Sequence, residues 1–160
     1  QYGDTFILPE SRIDEQLMTI PGTDGQKMSK SYGNTIDIFQ TDKKLRKNVM
    51  KIVTDSTPME EPKNPDSCNV FNLYKILASD PQTEEMKKKY LAGNYGYGHA
   101  KEALYELIVD KFSNQRAKYA ELMENPQMIE DALQKGEQKA SRIAREVLKR
   151  VRVKLGFSQD

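Results

Sequence analysis

Seven apolar residues near the end of the chain, Ala140, Ile143, Ala144, Val147, Leu148, Val151 and Leu155, fall at offsets 0, 3, 4, 7, 8, 11 and 15. That is the period of one α-helical face and of no strand, so the segment is predicted to be an amphipathic helix. Its basic residues lie mostly on the other side. Upstream, Ala100, Ala103, Leu104, Leu107, Ile108, Phe112, Tyr119 and Leu122 repeat the pattern, which predicts one long helix from His99 to Met123. Three shorter helices precede it. Thr41 or Asp42 can cap one running through Leu45, Val49 and Ile52, and Asp66 or Ser67 can cap another through Val70, Phe71, Leu73, Tyr74 and Leu77. Asp80-Pro81 opens a third that Gly93 closes. Only two segments read as strands, residues 5–8 ahead of Pro9 and residues 16–20 ahead of Pro21-Gly22. The expected fold class is therefore mainly α, a helical bundle after a short extended start.

Composition removes several function classes. The 160 residues are 37% apolar and 31% charged, with no eighteen-residue apolar run, so no membrane span is expected. The first residues carry neither the basic start nor the apolar core of a signal peptide. One cysteine, Cys68, and one histidine, His99, exclude an internal disulfide and any site that needs two of either, and no protein metal ligand is expected. The chain opens on Gln1 rather than Met, as a processed or cut chain would.

Net charge is close to zero, 25 Lys and Arg against 24 Asp and Glu, but it is unevenly spread. Residues 26–51 hold seven basic and two acidic side chains, a balance of +5, and residues 137–154 repeat that count. Between them, residues 54–69 are acidic and carry three prolines, the marks of a loop. Two basic regions suit a chain that grips a polyanion at two places, but charge alone favours two ordinary solvated helix faces.

The chemistry-bearing stretch is Gly25-Gln26-Lys27-Met28-Ser29-Lys30-Ser31-Tyr32-Gly33-Asn34. Residues 21–34 hold three glycines and a proline, so no regular element is expected there. Small residues let the backbone approach a ligand, and lysines three apart can both reach one polyphosphate. Ser29 and Ser31 can donate to phosphate oxygens or cap the local turn.

Lys27 to Ser31 resembles the KMSKS signature of class I aminoacyl-tRNA synthetases. The wider chain is similar to the tryptophanyl-tRNA synthetase family: Phe6-Ile7-Leu8-Pro9-Glu10-Ser11-Arg12-Ile13, Leu17-Met18, Val53-Thr54-Asp55-Ser56, Asn69-Val70-Phe71-Asn72-Leu73-Tyr74, Gly96-Tyr97-Gly98, and Glu137 to Ala144 follow in its order. The resemblance implies ATP-dependent activation of L-tryptophan to the adenylate, then transfer to tRNA(Trp). It implies that Lys27 and Lys30 hold the ATP phosphates and stabilise the leaving pyrophosphate with Mg²⁺. Met28, by its backbone, and Leu17 and Met18, by position, match the stretch lining the adenine, and Ser29 and Ser31 complete the signature. Residues 1–55 would be the C-terminal end of a Rossmann-type α/β catalytic domain carrying the loop, and residues 56–160 the helical domain that docks on tRNA and reaches the anticodon. Arg142, Arg145, Lys149 and Arg152 form either a phosphate-contacting surface or a solvated face. A cytoplasmic enzyme, homodimeric at full length, is implied.

The family's other signature, His-x-Gly-His or a related small-residue segment, has no counterpart here, since His99 follows the lysine loop. The chain is thus expected to be a C-terminal portion that lacks the tryptophan pocket and is inactive alone. The tyrosyl enzymes share the fold and loop, and a non-catalytic tRNA-binding module would keep the helices; both remain open on sequence.

Overall fold

In the computed structural model, residues 2–3, 5–13 and 19–157 are described. Among them the regular structure is six α-helices and one 3-10 turn, with no strand. The helices are α1 (Asp42–Met50), α2 (Asn69–Leu77), α3 (Asp80–Ala92), α4 (Tyr97–Lys111), α5 (Ser113–Glu124) and α6 (Pro126–Leu155). The mainly α expectation holds. Residues 5–8, expected as a strand, are irregular, as are Thr19 and Ile20 of the second expected strand, whose residues 16–18 lie outside the described set. A β-rich composition needs a partner edge to become a strand, and among the described residues the only β pairing is an isolated bridge between Pro21 and Lys27.

The chain divides into two compact units, one of residues 13–119 and one of residues 1–12 with 120–160, the division falling inside α5. In the larger unit α4 packs against α1 and α2, and α2 also packs against α3. The core follows from sequence spacing: Leu45, Val49 and Ile52 from α1 and its end, Val70, Phe71, Leu73 and Tyr74 from α2, Met86 and Tyr90 from α3, and Ala100, Leu104 and Ile108 from α4 are all buried. Each set recurs every three or four residues, as one helix face requires. Outside the core, the Arg46 guanidinium on α1 meets the Glu102 carboxylate on α4 at 2.7 Å.

Helix ends mostly obey local rules. At the start of α3 the Ser79 N–H donates to Gln82 Oε1 at 2.9 Å, half of a capping box, and Gly93 closes the helix at φ +73°. A β-carbon on Gly93 would stand 2.4 Å from the Glu60 carbonyl, so the position is fixed by both dihedral and space. Two expectations shift. The α2 cap is Cys68 rather than Asp66 or Ser67, because Asn64 Oδ1 accepts the Asp66 N–H and holds residues 65–67 in a separate turn. The expected single helix across 99–123 breaks at Phe112, whose φ of −103° and ψ of 14° leave the helical region. No Pro or Gly marks that break. Side chains on both sides of it are tethered instead, Lys111 to the Leu77 carbonyl, and Arg116 to the Ile38 carbonyl and the Asp42 carboxylate.

The segment 53–66 is irregular, as its prolines require, and is held by one buried amine. Lys63 is 2% exposed; its Nζ donates to the Pro58, Met59 and Glu61 carbonyls at 2.8, 3.2 and 3.1 Å and stands 5.3 Å from the Tyr97 ring centroid. Tyr97 Oη in turn donates to Asp55 Oδ1 at 2.7 Å. Hydrogen bonds from Thr57 and then Tyr97 hold the Asp55 carboxyl below its ordinary range, while burial, with help from Asp55, pushes Tyr97 up to about 12. A carboxylate whose folded pKa is depressed contributes stability above its unfolded pKa of about 4 and loses it as pH falls through the folded value. Asp55→Asn is therefore expected to melt below the parent at neutral pH, with the gap closing in acid. Melting curves at pH 7 and below pH 4 check this, and a gap that persists in acid rejects the pairing.

In the smaller unit α6 spans 30 residues and ends in a Schellman motif: Phe157 N–H reaches the Arg152 carbonyl at 3.0 Å, and Gly156, at φ +77°, reaches Val153 at 3.1 Å. The predicted stripe is present, but Ile143, Leu148 and Leu155 on it stay 55%, 48% and 49% exposed. No described helix is long and apolar enough to cross a membrane.

Candidate functional site

The lysine loop is built as a miniature hairpin. Pro21 bridges Lys27, Gly22 N–H reaches the Gln26 carbonyl at 2.6 Å, and Gly25 N–H returns to the Gly22 carbonyl at 3.0 Å. Gly25 sits at φ +81°, and any β-carbon there would come within 2.6 Å of the Asn69 amide. Asn69 Nδ2 is itself fixed on the Val53 carbonyl at 3.0 Å, and Val53 N–H donates to Thr23 at 2.7 Å. The loop tip is thus docked on the start of α2 and the end of α1.

Past the bridge, Met28 N–H donates to the Ile20 carbonyl at 2.8 Å and the Met28 side chain packs against the core. Lys30 opens the 3-10 turn Lys30–Tyr32, which Gly33 closes at φ +67°. Ser29 Oγ and Ser31 Oγ lie 2.8 Å apart, so the two hydroxyls bond to each other. Lys27 and Lys30 are both exposed, three residues apart, with their backbones held and their amines in solvent. A cleft of about 280 Å³ is lined by Gln26 and Lys27 of the loop and by Asn72 and Lys75 of α2. Leu17 and Met18 lie outside the described residues.

Two residues to which the sequence assigns no role complete the loop. Asn34 is buried, 3% exposed, and its amide bonds to Asp24, Lys27 and Ser29. The Asn34 amide hydrogen bond holds the Asp24 carboxyl below the usual range, and the Gln26 N–H adds to it. The available signal was the asparagine directly after Gly33, in a loop otherwise free to be solvated. Among the described residues no three His, Cys, Asp or Glu side chains group as metal ligands. His99 lies in the first turn of α4 beside Tyr95, with ring centroids 5.7 Å apart, away from the loop in sequence and by its contacts.

Residues 1–113, which include this loop and its supports, match the family described as tRNA synthetases class I (W and Y). The chain belongs to that family. The "Tryptophan--tRNA ligase" of Fusobacterium nucleatum subsp. nucleatum is 49% identical over 158 residues, covering 98% of this chain and 48% of that protein. The Campylobacter jejuni protein of the same name is 43% identical over 157 residues, covering 98% and 49%. The crystal structure of tryptophanyl-tRNA synthetase from Campylobacter jejuni, complexed with ADP and tryptophan, superposes with a TM-score of 0.85 at 43% identity. It is matched over 98% of this chain and 49% of its own. The chain spans about half the length of the curated relatives it matches. Likeness in sequence to these tryptophan enzymes, and in fold to the Campylobacter jejuni one, thus extends over 98% of this chain.

Proposed function

We propose that this chain supplies the phosphate-gripping loop and the tRNA-binding helices of a tryptophan–tRNA ligase. In that enzyme ATP and L-tryptophan give the adenylate and pyrophosphate, and the tryptophanyl group then passes to tRNA(Trp). The observation that carries the reading is the loop: two exposed lysines, three apart, on a backbone fixed by glycines, the Pro21–Lys27 bridge and the buried Asn34. The names of the matched relatives favour tryptophan over tyrosine.

Lys27 and Lys30 act on the triphosphate. A unit charge pair at 4 Å is worth roughly 4 kcal/mol at an effective dielectric of 20. Cations fixed where negative charge grows on departing pyrophosphate lower the barrier rather than merely binding substrate. Ser29 and Ser31 are hydrogen-bonded hydroxyl to hydroxyl, which leaves the O–H of the accepting serine to donate to a phosphate oxygen. The donor set fits Mg²⁺ only as a partner of the ATP phosphates, since among the described residues no three His, Cys, Asp or Glu side chains come together to hold a cation. Leu17, Met18 and the Met28 backbone are assigned to the adenine.

Residues 1–55 are assigned to the end of the catalytic domain and 56–160 to the helical tRNA domain. Arg142, Arg145, Lys149 and Arg152, all exposed on α6, are assigned to tRNA phosphates. A cytoplasmic homodimer of full family length is the form in which this chain would work.

The isolated 160 residues are expected to catalyse no ATP–pyrophosphate exchange, yet to bind tRNA(Trp) with an affinity that falls steeply as salt rises. Exchange above background would overturn the division of labour. Absence of tRNA binding at low salt would overturn the assignment of the helices.

A further inference from the structure

We propose that Asn34 is a positioning residue for the two lysines, holding the signature backbone in its phosphate-gripping shape; this rests on the function proposed above. Its side chain is spent on the loop alone. Oδ1 accepts the Ser29 N–H at 2.8 Å, while Nδ2 donates to the Lys27 carbonyl at 3.1 Å and to Asp24 Oδ1 at 2.8 Å. One amide therefore grips the backbone on both sides of Met28 and ties it to the preceding turn. The Asn34 carbonyl closes the same turn by accepting the Thr23 N–H at 2.9 Å. Gly22 leaves the room, because a β-carbon there would stand 2.4 Å from Asn34 Cγ.

A lysine ammonium rides on a long flexible stem, so the part of it that a protein can fix in advance is the backbone from which it springs. Lys27 is gripped directly, and the Lys30 turn begins one residue beyond the gripped Ser29. Asn34 lies outside the apolar core cluster, so its bonds shape the loop rather than hold the helices together.

The chemistry demands an amide. An aspartate at 34 would face the Asp24 carboxylate and the Lys27 carbonyl without a proton to donate to either. Two carboxylates in that contact raise one pKa, so acid restores a donor. Asp24 is the ionisable side chain in contact with this position; Lys27 offers its backbone, and the Lys27 and Lys30 amines are exposed.

The test uses a full-length tryptophan–tRNA ligase containing this chain, with Asn34→Ala, Asn34→Asp and Lys30→Ala compared for pyrophosphate exchange, tryptophan binding and melting. Asn34→Ala is expected to slow exchange by about 100-fold, the scale of a 1 Å misplacement, with tryptophan binding within about two-fold. Asn34→Asp is expected to be impaired at pH 8 and to regain activity relative to the parent as pH falls toward 6. The proposal fails if Asn34→Asp follows the parent at every pH, or if tryptophan binding falls with exchange. It fails too if both variants lose their fold, since Asn34 would then serve stability. If Lys30→Ala leaves exchange intact, the functional reading itself has failed; if only the Asn34 variants are silent, the positioning role alone falls.

Discussion

Lys30→Ala, made in a full-length tryptophan–tRNA ligase containing this chain, is expected to slow adenylate formation by about 10²- to 10³-fold, the usual cost of removing one donor aimed at developing charge. Tryptophan binding should stay within about two-fold. The asymmetry follows from where the residue sits. Lys30 is exposed, begins a 3-10 turn that alanine can also adopt, and lies outside the buried core, so deleting its amine leaves the fold intact. On the proposed function, what is lost is one cation beside the departing pyrophosphate, whose contribution would grow as that bond breaks. Stopped-flow or single-turnover adenylate formation, alongside equilibrium binding of tryptophan, separates the two effects. Equal losses in both would mean that Lys30 supports the fold or uniform binding, and the clamp role would be wrong. Lys30→Arg should recover only part of the rate, because a planar fork on a different stem does not reproduce a point charge.

Much of this is legible in the sequence. The lysine pair, the glycines beside it and the helix boundaries at Asp42, Asp80 and Gly93 are local signals, each decided within four residues. What escaped the sequence is long-range. Asn34 reads as one more polar loop residue until its amide is seen to reach back to Asp24, Lys27 and Ser29. Lys63 reads as a solvated charge in an acidic loop, and instead it is buried as the common donor to three carbonyls. The break at Phe112 follows no turn chemistry; the apolar period runs straight through it, and the observed anchors on Ile38, Asp42 and Leu77 are tertiary. The α6 stripe is the opposite case. Its period was read correctly, but periodicity predicts a face that wants cover and not whether these residues supply it.

Tyr90→Ala should produce the largest loss of stability from one side chain. Tyr90 is the bulkiest fully buried residue among those described, 1% exposed, with its ring centroid 5.5 Å from Phe71, 6.0 Å from Tyr95 and 6.3 Å from Tyr97. Truncating such an aromatic costs about 3–5 kcal/mol through lost transfer and the cavity left behind. A chain of 160 residues has roughly 5–15 kcal/mol in all, and each kcal/mol moves the melting point by about 2–4 °C. Tyr90→Phe separates the ring from the hydroxyl. Burial raises the Tyr90 hydroxyl far above its ordinary pKa, so it stays neutral, and its partner among the described residues is the Cys68 thiol at 3.4 Å. Sulfur is a weak partner, and losing that contact should cost about 1 kcal/mol or less. Urea and thermal unfolding of both variants should therefore differ widely. Were the two to fall equally, the hydroxyl and not the ring would hold α3 in place. The ring reading also reaches the loop: the Tyr90 carbonyl accepts the Lys63 N–H at 2.8 Å, and Lys63 and Tyr97 brace residues 53–61. Loss of the ring should then make that segment the first to open to proteolysis, ahead of the signature loop, whose Asn34 anchor is separate.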